Sequence, residues 1–293
     1  MRIGINQFCW PSQFDVVHAL EMSAKMGYQV FEVCMTPSRP SASSIGGVSD
    51  ALDISGYYNR LLNEEVGDSE IKKLKSISDQ FGIPIASVGG IMSFSIYSLI
   101  SNDSQTAQRG EDALKRMIDA AYYLGADTVL VIAGMVESDM DYQRSYERAQ
   151  ASIHRLAQYA KEGVQLGVEN VWNNMLYSPL ELARFVDEIG MANVGIYFDV
   201  ANARRFGYPE QWIRTLGHRI RKLHLKDYRM SVDNIHGFTN LLDGDVNYPA
   251  VIQSLRDIEY DGDLVVELIP PAHHFVEETL QYAQRVVTAL IKS

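Results

Sequence analysis

The chain has 293 residues, 46% of them hydrophobic and 22% charged, enough apolar material for one large core and within the size range of an undivided barrel domain. Its 37 acidic residues outweigh 26 basic ones for a formal charge of -11. That field repels a phosphate backbone and argues against nucleic acid as a partner, although a local basic pocket could hold a single phosphate.

No apolar run reaches the roughly 18 to 20 residues of a membrane span, which argues against insertion. Residues Met1 to Phe8 enter a strand-like pattern at once, without the charged start, apolar stretch and cleavage site of a secretory signal, so the expectation is a cytoplasmic protein. Cys9 and Cys34 both sit in apolar strand-like settings, where a reduced thiol packs as a small hydrophobe, and no disulfide is expected between them.

In chain order, the predicted strands are Ile3 to Phe8, Val30 to Met35, Ile83 to Val88, Thr128 to Ala133, Leu166 to Asn170, Val194 to Asp199, Lys222 to Lys226 and Leu264 to Leu268. Longer amphipathic stretches separate them. Ala113 to Leu124 is one, with Leu114, Met117, Ile118, Ala121 and Leu124 near a 3.6 period. Ser178-Pro179 reads as an N-cap followed by proline at the first helical position, and Gly27, Gly125, Gly163 and Gly190 fall at helix ends. Eight strand-helix pairs predict a single (β/α)8 TIM barrel over residues 1–293 rather than an open nucleotide-binding sheet, and neither G-x-G-x-x-G nor G-x-x-x-x-G-K-[ST] occurs. The insert from Thr36 to Val66 is too long for a simple loop after the second strand. It lies on the catalytic face of such a barrel, as a lid or as decoration.

Four residues stand at the carboxyl ends of the last four predicted strands: Glu169, Asp199, His224 and Glu267. Each ends or interrupts an apolar run, where an ionised carboxylate is costly unless a cation or donor compensates it. Alone, each has a plainer reading: a hydrogen-bonded core histidine, a buried salt bridge, a helix cap for Asp199. Together, three carboxylates and one imidazole around a barrel mouth make a hard, octahedral-leaning site that suits Mn²⁺, with Mg²⁺ and Co²⁺ as alternatives, better than Zn²⁺.

With His224-Leu225-Lys226-Asp227 and Asp243-Gly244-Asp245-Val246-Asn247-Tyr248, these four residues resemble the xylose-isomerase-like sugar phosphate isomerase/epimerase superfamily, and within it the ketose 3-epimerases of the D-tagatose and L-ribulose 5-phosphate type. The resemblance covers nearly the whole barrel and is strongest from Gly167 to Pro271. It implies that the four residues bind one divalent ion and that Glu169 and Glu267 act as acid and base. Tagatose-type members carry histidine three residues after the metal-binding aspartate; this chain has Asn202 there, as members acting on ketose phosphates can. A related DNA-repair endonuclease uses further histidines, which Ser87-Val88-Gly89-Gly90 and Ile132-Ala133-Gly134 lack.

The expected function is metal-dependent C3 epimerisation of a ketose or ketose phosphate through a cis-enediolate, using the two glutamates. Aldose-ketose isomerisation, elimination as in inosose dehydratases or 3-keto-glycoside lyases, and a sugar-binding barrel without catalysis are the alternatives. Further contacts are expected from Trp172 as an apolar platform or loop packing, Glu32 as a hydroxyl partner or structural acid, Lys226 and Arg229 as phosphate or hydroxyl ligands or salt bridges, and Trp10 as a pocket wall or core residue. Asn202 is placed with the substrate, while His236, His273 and His274 are expected in solvent. Homo-oligomerisation is left open.

Overall fold

The computed structural model of the chain describes residues 1–38, 56–90 and 96–293. Eight parallel strands close into a barrel: β1 (Arg2–Asn6), β2 (Val30–Cys34), β3 (Ile85–Gly89), β4 (Thr128–Val131), β5 (Gln165–Glu169), β6 (Val194–Asp199), β7 (Ile220–Leu225) and β10 (Asp263–Val266), the last pairing with both β7 and β1. Between β7 and β10 a short antiparallel hairpin, β8 (Asp227–Tyr228) and β9 (Phe238–Thr239), rises over the mouth. The helices in chain order are α1 (Val16–Lys25), α2 (Asp68–Phe81), α3 (Ser104–Leu124), α4 (Tyr142–Tyr159), α5 (Pro179–Ile189), α6 (Val200–Arg204), α7 (Pro209–Leu216), α8 (Tyr248–Asp257) and α9 (Val276–Lys292).

The strand residues are almost all buried, because one face meets the barrel interior and the other the helix layer. Helix ends follow local chemistry. Ser178 caps α5 by accepting from Glu181 N, Pro179 opens it, and Gly190 closes it at φ 69, a conformation that costs glycine little. Helix α3 begins at Ser104, not near Ala113. Asp103 caps it by accepting from Gln105 N at 3.3 Å and Thr106 N at 3.0 Å, and its first turns are polar and largely exposed, so no apolar period marks them. Residues 39–55, most of the Thr36–Val66 insert, lie outside the described residues, and the lid expectation lies there with them. The described end of that insert is tied down: Tyr57 donates to the carbonyl of Phe8, and the Asn59 amide donates to Gln7 and to the carbonyl of Cys34. Both cysteines are free and buried. No described helix is long and apolar enough to cross a membrane.

Two register shifts set which polar side chains meet across the strands. Between β2 and β3 the pairing slips so that Glu32 lies opposite Ser87, and between β6 and β7 it slips so that Asp199 lies opposite His224. A one-residue slip exchanges the faces of a strand, so each shift brings a polar pair to the same side.

The amino end of the barrel carries a charged layer. Lys222, on β7, pairs with Asp263 on β10 and lies 2.9 Å from Asp127, while Arg2 binds Asp263 with Nε at 2.7 Å and Nη2 at 3.0 Å. Burial pushes the Asp263 carboxyl up, but the donors from Arg2 and Lys222 prevail and hold it below the usual carboxylate range. A depressed carboxylate stabilises the fold fully above its unfolded value of about 3.9, and that stability is lost as pH falls through the folded value. Asp263→Asn is therefore expected to cost about 3 kcal/mol near neutral pH, since it leaves buried Lys222 short of a partner. Urea titrations should find the two proteins converging below about pH 4. An unchanged midpoint at pH 7 would refute a stabilising role for this layer.

Candidate metal centre

Strand alternation turns every second residue toward the barrel axis. On β7 and just past it this row is Lys222, His224 and Lys226; on β6 it includes Tyr197 and Asp199; on β5 it ends at Glu169; beyond β10 it reaches Glu267. The four predicted residues converge. One potential ligand atom from each of Glu169, Asp199, His224 and Glu267 lies within 4.8 Å of every other, and all four residues are buried.

His224 organises the group. Its Nδ1 lies 3.4 Å from Glu169 Oε1, 3.4 Å from Glu267 Oε2 and 4.0 Å from Asp199 Oδ2. Its Nε2 lies 2.7 Å from Glu32 Oε1 on the other side of the ring. With the Nε2 proton donated to Glu32, Nδ1 is left as the nitrogen that could bind an ion, the usual way an outer carboxylate sets a ligating histidine.

Glu32 is itself held by donors: Ser87 Oγ at 2.7 Å and Tyr197 OH at 2.6 Å to Oε2, with the Asn6 amide on Oε1. Burial drives this carboxyl upward, yet the His224 charge and the Ser87 and Tyr197 hydroxyls hold it down at about 2. Glu169 and Asp199 go the other way. Burial raises both, aided by the charge of Glu267, against the pull of His224 and Lys226. The His224 imidazole resists charge through burial, but Glu267 and Glu32 keep it well above the ordinary histidine value.

These observations fit a divalent cation. The donors are hard oxygens plus one imidazole nitrogen, negative charge exceeds what the neighbours compensate, and Asp199 Oδ2 is buried with no directed hydrogen bond. Lys226 Nζ lies 2.8 Å from that oxygen, an ion-pair distance, but off the hydrogen-bond direction.

Above the centre lies a cavity lined by Glu169, Glu267, Glu32, Asn202, Lys226 and Trp172, with an apolar wall that includes Phe8, Ile132, Phe238 and Ile269. Trp172 donates through Nε1 to the carbonyl of Asn202 at 3.1 Å, stacks on Phe238 with centroids 4.9 Å apart, and carries the Arg205 guanidinium 4.5 Å from its ring. Asn202 is buried and gives its backbone N–H to Asp199 Oδ1 at 2.6 Å, which fixes that carboxylate at the start of α6.

Trp10 is a core residue rather than a pocket wall, and Arg229 lies outside the cavity lining. Trp10 is fully buried in the main core, edge-on to Phe14 and His18 with Nε1 donating to Ser23 Oγ at 3.2 Å, because the chain turns into a 3-10 segment at Gln7–Cys9 and carries the indole away from the mouth. Arg229 is exposed and outside the cavity lining; its Nε donates to the carbonyl of Asp243 at 3.0 Å. Glu32 does line the cavity, but both of its oxygens are engaged by protein groups. His236, His273 and His274 are exposed, as expected.

The apolar wall and the hydroxyls of Ser87 and Tyr197 are not legible in the sequence. Their only signal is a polar residue on the inward row of an apolar strand. Asp227 explains the Asp243–Tyr248 motif: its carboxylate accepts from the backbone N–H groups of Tyr228, Leu242 and Val246 at 2.8 to 3.0 Å, which pins the loop beside the mouth. Any side chain at Gly244 would collide with that carboxylate.

A profile described as "Xylose isomerase-like TIM barrel" matches residues 20–286. A D-tagatose 3-epimerase-like protein has a similar structure, with a TM-score of 0.78 at 18% identity over 100% of this chain and 97% of that one. A D-psicose 3-epimerase crystallised in the presence of D-fructose gives 0.73 at 17% identity, with 100% of each chain covered. Among curated sequences, the uncharacterized protein MJ1311 of Methanocaldococcus jannaschii is 24% identical over 206 residues, 67% of this chain and 68% of that protein. With the profile spanning most of the eight-stranded barrel and the four inward residues at its mouth, the chain belongs to the xylose isomerase-like TIM-barrel family.

Proposed function

We propose that the protein is a divalent-metal-dependent sugar epimerase or isomerase, and most concretely a 3-epimerase of a ketose or ketose phosphate. One observation carries the reading: two glutamates, Glu169 and Glu267, line one cavity and each approaches the same histidine nitrogen at 3.4 Å. The structural likeness to a D-psicose 3-epimerase and to a D-tagatose 3-epimerase-like protein supports it.

Glu169, Asp199, His224 Nδ1 and Glu267 would hold the ion, with Mn²⁺ the best match to the donor set and Mg²⁺ or Co²⁺ as substitutes. A divalent ion so held supplies Lewis-acid stabilisation of negative charge developing on substrate oxygens. The residues do the rest. One glutamate carboxylate takes the proton from C3, leaving an enediolate, and the other glutamate returns a proton to the opposite face. Asn202 and Lys226 face the sugar, and the apolar wall excludes water from the carbanion-like carbon.

Glu32 acts through His224. Glu32→Gln preserves size but gives up the charge that balances the imidazole, so the affinity for Mn²⁺ should fall by roughly 10- to 100-fold. Calorimetric titration reads this directly, and an affinity equal to the parent protein's would show that Glu32 does not orient the ligand.

The function itself is tested by incubating ketoses and ketose phosphates with the Mn²⁺-loaded protein in D₂O and reading products by NMR. Epimers with deuterium at C3 are the expected result. Exchange confined to C1 and C2 would indicate aldose-ketose isomerisation, release of water or an aglycone would indicate elimination, and binding without exchange would leave a sugar-binding barrel.

A further inference from the structure

We propose that Lys226 is a built-in counter-ion of the carboxylate cluster, so that a divalent ion binds by exchange with its ammonium rather than by simple addition. The inference rests on the metal reading of the same site. Lys226 follows His224 on the same inward row, is 5% exposed, and places Nζ 2.8 Å from Asp199 Oδ2 and 2.7 Å from Glu267 Oε2. Phe238 lies 4.7 Å away and closes one side of the ammonium. Among the described residues, no other lysine or arginine pairs with either carboxylate.

The two oxygens that hold Lys226 belong to two of the four residues able to surround an ion. Small divalent cations take carboxylate oxygens at roughly 2.0 to 2.2 Å. An ion at that distance and an ammonium on the same oxygens would be neighbouring positive charges in a buried site, where repulsion is screened far less than in water. That repulsion favours withdrawal of the ammonium, which the flexible four-carbon stem of lysine permits without backbone movement. The contact with Asp199 is already poorly directed, whereas that with Glu267 is a directed hydrogen bond. Once released, the ammonium remains in the cavity wall it already lines, within reach of sugar oxygens. Lys226 thus makes the cluster tolerable before the ion arrives and lowers the ion's apparent affinity in return.

The test is calorimetric titration of MnCl₂ into chelator-stripped full-length protein, for the parent, Lys226→Met, Lys226→Gln and Lys226→Arg, with the melting temperature measured with and without Mn²⁺. Both neutral variants should bind Mn²⁺ about tenfold more tightly or better, because no resident cation must be displaced. Their gain in melting temperature on saturation should exceed the parent's, since the metal-free form has lost its compensation. Lys226→Arg restores the charge and should return affinity toward the parent value, an outcome that general loosening of the site would not produce. Unchanged or weaker Mn²⁺ binding in the folded neutral variants overturns the exchange alone. Failure of the parent protein to bind Mn²⁺ overturns the metal reading and this inference with it.

Discussion

On the proposed epimerase reading, Glu169→Gln and Glu267→Gln should each lose about 10³-fold or more of kcat on a ketose substrate while retaining the fold and much of the ion and sugar binding. Glutamine keeps the size and one coordinating oxygen of the side chain but cannot titrate. The interaction it removes is needed chiefly in the transition state, so KM should move far less than kcat. The two variants should also differ in isotope behaviour. A protein lacking only the second proton carrier can still take and return the C3 proton on one face, exchanging it with D₂O without forming the epimer. Starting from the opposite epimer, the other variant should show that partial reaction. Near-parental turnover in both would reduce the pair to ligands or structural acids.

On the proposed metal-dependent reading, removal of the ion should have an effect as large. Several kcal/mol of charge stabilisation at the substrate oxygens corresponds to a loss of about 10³-fold in rate, so dialysis against a chelator should bring turnover close to background. Mn²⁺, and to differing degrees Mg²⁺ or Co²⁺, should restore it. His224→Ala should require much higher Mn²⁺ for the same recovery, because it deletes a ligand and strands Glu32 without its ring partner. Far-ultraviolet circular dichroism should show the secondary structure retained. Undiminished activity in protein shown by elemental analysis to be metal-free would end the metal-dependent reading.

Much of the site is legible in the sequence because strand periodicity and chemistry coincide in it. Glu169, Asp199, His224 and Glu267 each sit where an apolar run stops at a charged or titratable side chain, and alternation sends all four inward. Trp10 takes the second of its two sequence readings, the core one. It follows the first strand just as closely as a site residue would, yet three residues of 3-10 turn rotate it into the core. Arg229 lies outside the cavity lining for a similar reason: the hairpin of β8 and β9 changes the direction of the chain immediately after Lys226, and its short strands carry no period long enough to announce it. Helix α3 runs longer than its apolar stripe because an exposed polar turn held by a cap carries no such stripe.

The order of the eight barrel strands, the closed barrel and the identity of the four inward residues were determined by the sequence itself, since alternation of apolar and polar side chains is a local property that burial on two faces enforces. The tertiary structure alone decided which nitrogen of His224 faces the carboxylates, that Glu32 serves the imidazole, and that Lys226 stands between Asp199 and Glu267. These depend on register between strands far apart in the chain. The slips that set Glu32 opposite Ser87 and Asp199 opposite His224 leave no mark on either strand's own pattern, because a strand's period shows which residues share a face and not which neighbour each will meet.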